Sequence, residues 1–160
     1  MPHLRAGRLE GECGALRSAR RIIHGHGRGV NPSRAVEETL RFDAPVQIIL
    51  RRTQLDVELG GVLIPKGGMV AAILGSANRD ERHHPDPDAF RLDRPEPHLA
   101  FGAGPHFCLG SSLARLEATI GLSILLEETR HFQALESVAE IPRIPSLQLR
   151  GPERLLITVA

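Results

Sequence analysis

The sequence has no tryptophan and no tyrosine, and five phenylalanines make up its whole aromatic complement. A protein that holds single-stranded nucleic acid by stacking bases on rings needs more than that. Cysteine is nearly absent too. Cys13 and Cys108 cannot form a disulfide framework, and two thiols fit a reducing cytoplasm. No apolar run approaches the ~18 residues of a membrane helix. The N-terminal arginines lead into no apolar stretch, so neither a membrane location nor a secretory signal is expected. No internal repeat, phosphate-cradling loop or nucleophile triad can be found.

What is present is ordinary for a soluble globular chain: 160 residues, 41% apolar and 24% charged, the size of one domain or one piece of a larger one. The net charge of +1 is unevenly spread. Residues 1–34 carry seven Arg and two Glu, whereas the rest is acidic on balance, and Lys66 is the only lysine. A basic head could serve as a nucleic-acid arm. Its low apolar density favours a segment that packs against nothing, and no nucleic-acid partner is expected.

The pattern changes near residue 31. Glycines at 25, 27 and 29 argue against a helix there, so residues 1–32 read as an irregular head with one short helical stretch around Ala15–Ile23. Ser33 is the expected cap of a helix starting at Arg34 or Ala35, which Asp43-Ala44-Pro45 ends. Strand-like runs follow at 46–50, 56–59, 62–64 and 69–74, suggesting a small antiparallel meander. Residues 78–100 hold four prolines and read as a long irregular stretch. From Ser111 to about Thr129, Leu113, Leu116, Ile120 and Ile124 recur at helical spacing, and Leu122, Leu125 and Leu126 widen the stripe enough for burial on most sides. Residues 147–149 and 155–159 suggest a closing hairpin. The expected class is α+β.

The sharpest chemical feature is FGAGPHFCLG, residues 101–110, directly before that long helix. A thiolate at Cys108 would be favoured by the helix dipole and by unpaired amides. Gly102 and Gly104 allow a tight turn and close approach to a flat object. Phe101 can cover one side of the sulfur, and His106 can meet an anion. This suits an axial thiolate ligand to a metal, although a lone cysteine in a Gly-rich turn is more often inert. His83, His84 and His98 with Cys108 could be imagined as a zinc site, but their spacing is irregular. Cys13 and the His24-x-His26 pair suggest no role.

The ten residues resemble the haem-binding loop of the cytochrome P450 family, Phe-x-x-Gly-x-His-x-Cys-x-Gly, with Phe101, Gly104, His106, Cys108 and Gly110 in its fixed positions and Gly102 as the common second residue. The helix that follows, with Ala114-Arg115-Leu116-Glu117, is also similar. Glu38-x-x-Arg41 resembles the family's buried pair, whose third member would be Arg94, with Arg91 the runner-up. Arg51 falls where the family has an arginine reaching a haem propionate, a role suited to a two-pronged guanidinium; His106 would take the other propionate. Thr53-Gln54-Leu55-Asp56 departs from the usual Ala-Thr-Glu-Asp. The resemblance extends from Ser33 to Ala160.

It implies the C-terminal part of a mainly helical fold, bacterial in type, with haem b (iron protoporphyrin IX) bound through Cys108. It also implies a monooxygenase acting on a small organic substrate with electrons from a ferredoxin or reductase. The family's distal helix, with its acid–alcohol pair, has no counterpart in the matched part. The expectation is therefore little or no activity from this chain alone, and an apolar face left open on the long helix. The loss of pattern before Asn31 is what a frameshift or truncated gene leaves, and sequencing the flanking DNA would test it. A non-catalytic remnant is the alternative.

Overall fold

A computed structural model describes residues 31–159, except 96, 130, 131 and 136–140. The expected helix around Ala15–Ile23, Cys13, His24, His26 and most of the irregular head lie outside the described residues.

Helix α1 spans Pro32–Phe42. Its cap is Asn31 rather than Ser33: the Asn31 side chain accepts from the amides of Ser33 (3.0 Å) and Arg34 (3.3 Å). Pro32 then occupies the first helical position, where its missing N–H costs nothing and its fixed φ suits the helix. The helix thus starts two residues before Arg34, the earlier of the two expected starts. The helix ends at Asp43, whose amide donates to the Thr39 carbonyl (2.9 Å) two residues before Pro45.

Strands β1 (Ile48–Arg52), β2 (Val57–Leu59), β3 (Val62–Ile64) and β4 (Met69–Ile73) follow. They do not form the expected meander. β1 pairs antiparallel with β4, Arg51 opposite Val70, and β2 pairs with β3 as a separate hairpin nested between them. Gly60 and Gly61, both at positive φ, make the tight β2–β3 turn. A one-turn helix, α2 (Leu74–Ala77), was missed; its four residues are too few to show a period. The described residues of 78–100 carry no regular element, and α3 runs Ser111–Glu128.

The C-terminal hairpin was misassigned. β6 (Ile157–Val159) pairs with β5 (Phe132–Ala134), not with 147–149. Leu149 instead bridges Val46, and the Gln47 amide donates to the Gln148 carbonyl (2.7 Å). Alternating patterns such as Leu147-Gln148-Leu149 mark strands but do not choose their partners.

Burial concentrates around α1 and residues 78–100. Phe42 and Phe90 meet edge to face, ring centres 5.7 Å apart, with Leu92 against them. The Arg79 guanidinium lies 3.6 Å from the Phe42 ring centre and donates to the Phe42 carbonyl. The long helix is not buried on most sides as its wide stripe suggested: of its residues only Ser111 is buried, and its apolar stripe faces outward, the open apolar face that was also expected.

Candidate functional site

Residues 99–111 are folded by their own backbone. The Gly102 amide donates to the Leu99 carbonyl (2.8 Å), the Phe107 amide to Gly104 (3.0 Å), and the Cys108 amide to Phe101 (3.0 Å). Gly102 and Gly104 both sit at φ +74°, the region that penalises a side chain, and residues 104–106 form one 3-10 turn. The Ser111 amide donates to the Cys108 carbonyl (3.2 Å), so the loop passes directly into α3.

Cys108 is a free, exposed cysteine. Gly110 caps α3 with no side-chain hydrogen bond, and the first turn has no acidic residue. An 18-residue helix therefore offers its positive end and unpaired amides beside the sulfur with no competing carboxylate. Next to it, Leu109 is fully exposed and Phe107 half-exposed. A side chain at Gly104 would meet nothing within 4 Å, so the loop has open space beside it. An accessible thiol, an uncapped helix start, apolar neighbours and free space fit a flat thiolate-ligated group.

The Ile49 side chain of β1 reaches Gly102: a Cβ there would lie 3.6 Å from its Cδ1. Arg51 lies two residues along and so shares that face of the strand. It is exposed, its guanidinium donates to the Leu50 carbonyl, and among the described residues it has no carboxylate partner. His106 is exposed in the 3-10 turn. Both side chains are thus open to an external anion.

The structure also brings Glu38, Arg41 and Arg94 together. Arg41 grips Glu38 by two bonds, 2.7 and 2.8 Å, and donates to the carbonyls of Asn78, Pro87 and Ala89. Arg94 reaches the same carboxylate at 3.2 Å and donates to the carbonyls of Pro85, Asp86 and Ala89. The runner-up, Arg91, contributes its backbone amide to Glu38 (2.8 Å) while its side chain pairs with Asp93. One helix turn thereby organises much of the irregular stretch. A recess of about 270 Å³ opens on this side, lined by residues that include Arg34, Glu38, Arg94 and His98, but not Cys108.

A third cluster escaped the sequence reading. Glu37 holds Arg115 at 2.6 and 3.1 Å and His98 at 3.1 Å. The Arg115 guanidinium lies 4.5 Å from the Phe101 ring centre. Burial alone would raise the Glu37 pKa, but Arg115 and His98 together pull it below the ordinary carboxylate value. Burial lowers the His98 pKa despite Glu37. The adjacent Glu37-Glu38 was the available signal, since neighbouring helix residues point about 100° apart and must find different partners. His83, His84, His98 and Cys108 do not converge, and no cluster of three metal-ligating side chains occurs among the described residues. Nor is any helix among them long and apolar enough to cross a membrane.

Comparison with known proteins places this geometry. Residues 33–157 match the family model described as Cytochrome P450. The chain is 47% identical over 130 residues to Cytochrome P450 109 of Bacillus spizizenii, covering 81% of this chain and 32% of that protein. It is 44% identical over 126 residues to the beta-dihydromenaquinone-9 omega-hydroxylase of Mycobacterium tuberculosis, covering 78% of this chain and 25% of that protein. Among solved structures, a cytochrome P450 of Chondromyces apiculatus superposes with a TM-score of 0.82 at 38% identity, over 93% of this chain and 39% of that one. The cytochrome P450 PksS of the Bacillus subtilis bacillaene polyketide synthase gives 0.84 at 31% identity, over 94% and 39%. The chain spans about a third or less of the length of these curated relatives.

Proposed function

The chain belongs to the cytochrome P450 family, and on that premise we propose that it carries the haem-ligand part of a haem-thiolate monooxygenase. The observation that carries the reading is the exposed Cys108 thiol at the uncapped start of α3, inside a loop whose own hydrogen bonds fix it. Cys108 would hold the iron of haem b as its thiolate. Phe101, Gly102, Gly104 and Gly110 would shape the surface around it, and Arg51 and His106 would receive the two propionates.

When bound, haem supplies the one-electron and dioxygen chemistry by which one oxygen atom enters an organic substrate and the other leaves as water. The chain's residues have narrower tasks. The helix start would place its positive end beside the sulfur as ligand. Phe101 and Phe107, edge to face at 6.3 Å, keep water from part of the loop. The Cys108 amide is tied to the Phe101 carbonyl, which orients the sulfur. The Glu38–Arg41–Arg94 cluster acts as scaffold, anchoring the stretch that leads into the loop. A small organic substrate and a ferredoxin or reductase are the proposed partners of the whole enzyme, and the cytoplasm is its proposed location. Residues 33–160 are proposed as one structural unit.

The alternative is a non-catalytic remnant, and the outward-facing apolar stripe of α3 favours it. Haem titration of the purified chain decides between them. A ferrous carbon-monoxide spectrum of thiolate type, lost in Cys108→Ala, supports the ligand reading; no spectral change on adding haem supports the remnant. Little or no monooxygenase turnover is expected from the chain alone in either case.

A further inference from the structure

Glu37 sits where three segments meet. It lies on α1, takes His98 from the end of the irregular stretch, and takes Arg115 from the second turn of α3. The hydrogen bonds fix the state of each member. The Ala100 amide donates to His98 Nδ1 (3.1 Å), so the ring proton is on Nε2, which donates to Glu37 Oε2. Arg115 donates through both Nε and Nη2, which sets its plane. That plane lies against Phe101, and the His98 ring lies 6.0 Å from the same phenyl ring. The Phe101 carbonyl in turn receives the Cys108 amide.

We propose that Glu37, His98 and Arg115 are positioning residues: they clamp Phe101 against α3, and through its carbonyl they hold Cys108 in register with the helix start. The ring is gripped from its face by a guanidinium whose charge Glu37 balances. The segment is gripped one and three residues earlier, at Ala100 and His98. With both ends of 98–101 held, the carbonyl that receives the Cys108 amide has a fixed place relative to α3. The consequence for ligation rests on the reading of Cys108 as the haem ligand; the clamp itself does not.

Side-chain exposures of 40% for Glu37 and 35% for Arg115 separate this role from that of a general support. A pair this accessible adds little to global stability, yet it acts on a loop whose shape depends on few bonds. Loss of the clamp should therefore loosen the loop selectively.

Amide hydrogen exchange on the full, haem-free chain tests this, with thiol modification read in a Cys13→Ser background. Arg115→Lys keeps the charge but not the flat face or the second prong, and Glu37→Gln removes the balancing charge. Each should speed exchange of the Cys108 amide at least tenfold and speed modification of its thiol, with the exchange of the Glu38–Arg41 turn unchanged. The double variant should be no faster than the faster single one. Exchange at Cys108 within twofold of the parent in both single variants would overturn the proposal. So would acceleration spread evenly over α1 and α3, or loss of the folded state in Arg115→Lys. If the parent shows no thiolate-type spectrum with haem and carbon monoxide while the exchange results hold, the ligand reading fails and the clamp stands.

Discussion

On α1, Glu38 and Arg41 expose 4% and 2% of their surface, whereas on α3, Leu113, Leu116, Ile120 and Ile124 expose 59%, 57%, 49% and 53%. The usual arrangement is reversed between two helices that pack against each other. The cause is partner supply. Arg41 makes five hydrogen bonds to Glu38 and to three carbonyls of the irregular stretch, so its desolvation is matched. The α3 stripe is left about half exposed, without full cover from the described residues. Burial here follows what is available to pair with a side chain, not its polarity.

The largest break in that contrast should come from the buried side. Arg41→Ala leaves Glu38 with a buried charge held, among the described residues, by Arg94 and the Arg91 amide, and takes the guanidinium donor from the Asn78 and Pro87 carbonyls, while the Ala89 carbonyl keeps Arg94. A loss of about 3–5 kcal/mol is expected, as for other buried pairs stripped of one partner. Urea unfolding would read it; a change below about 1 kcal/mol would mean that the cluster is solvated. Arg94→Ala should cost less, since the Glu38–Arg41 pair survives it.

Glu37→Gln should cost only about 0.2–1 kcal/mol, because both side chains of the Glu37–Arg115 pair are more than a third exposed. A loss as large as that of Arg41→Ala would erase the distinction between the two acidic neighbours.

Acidification probes the same region. Burial holds the His98 pKa below its ordinary 6.5, with Glu37 opposing and Arg115 and Arg41 adding to the depression. Neutral His98 therefore contributes stability that is complete above pH 6.5 and is lost as pH falls through the depressed pKa. Protonating Nδ1 also ends the bond from the Ala100 amide. The thermal midpoint should fall between about pH 7 and 5, and fall less in His98→Gln. Equal slopes in parent and variant would assign the effect to another group.

The smallest effect on folding is expected on the exposed side. Leu113→Gln with Leu116→Gln should leave unfolding within about 0.5 kcal/mol of the parent while reducing self-association in sedimentation. A large loss of stability would show that the stripe is covered in solution.

Several elements could be read locally. The 111–128 helix shows its period in Leu113, Leu116, Ile120 and Ile124, and strand 62–64 lies between turn residues. Other features could not be read in this way. Ser33 and Asn31 are both good caps, and only the position of Pro32 distinguishes them. The partner of 147–149 depends on where β1 begins, a contact about a hundred residues away. Around the site, a ten-residue run suggested Cys108, Phe101 and the glycines. Glu37, His98 and Arg115 are scattered over 78 positions and carry no spacing that marks them.

By itself the sequence determined the family and the turn of the Cys108 loop, because a tight turn with two positive-φ glycines before a helix is a local matter of backbone sterics. Only the tertiary structure decided which charges are buried, which strands pair and what steadies Phe101. Those depend on the three-dimensional meeting of distant groups, where a buried ion is tolerated only if partners from other segments arrive to satisfy it.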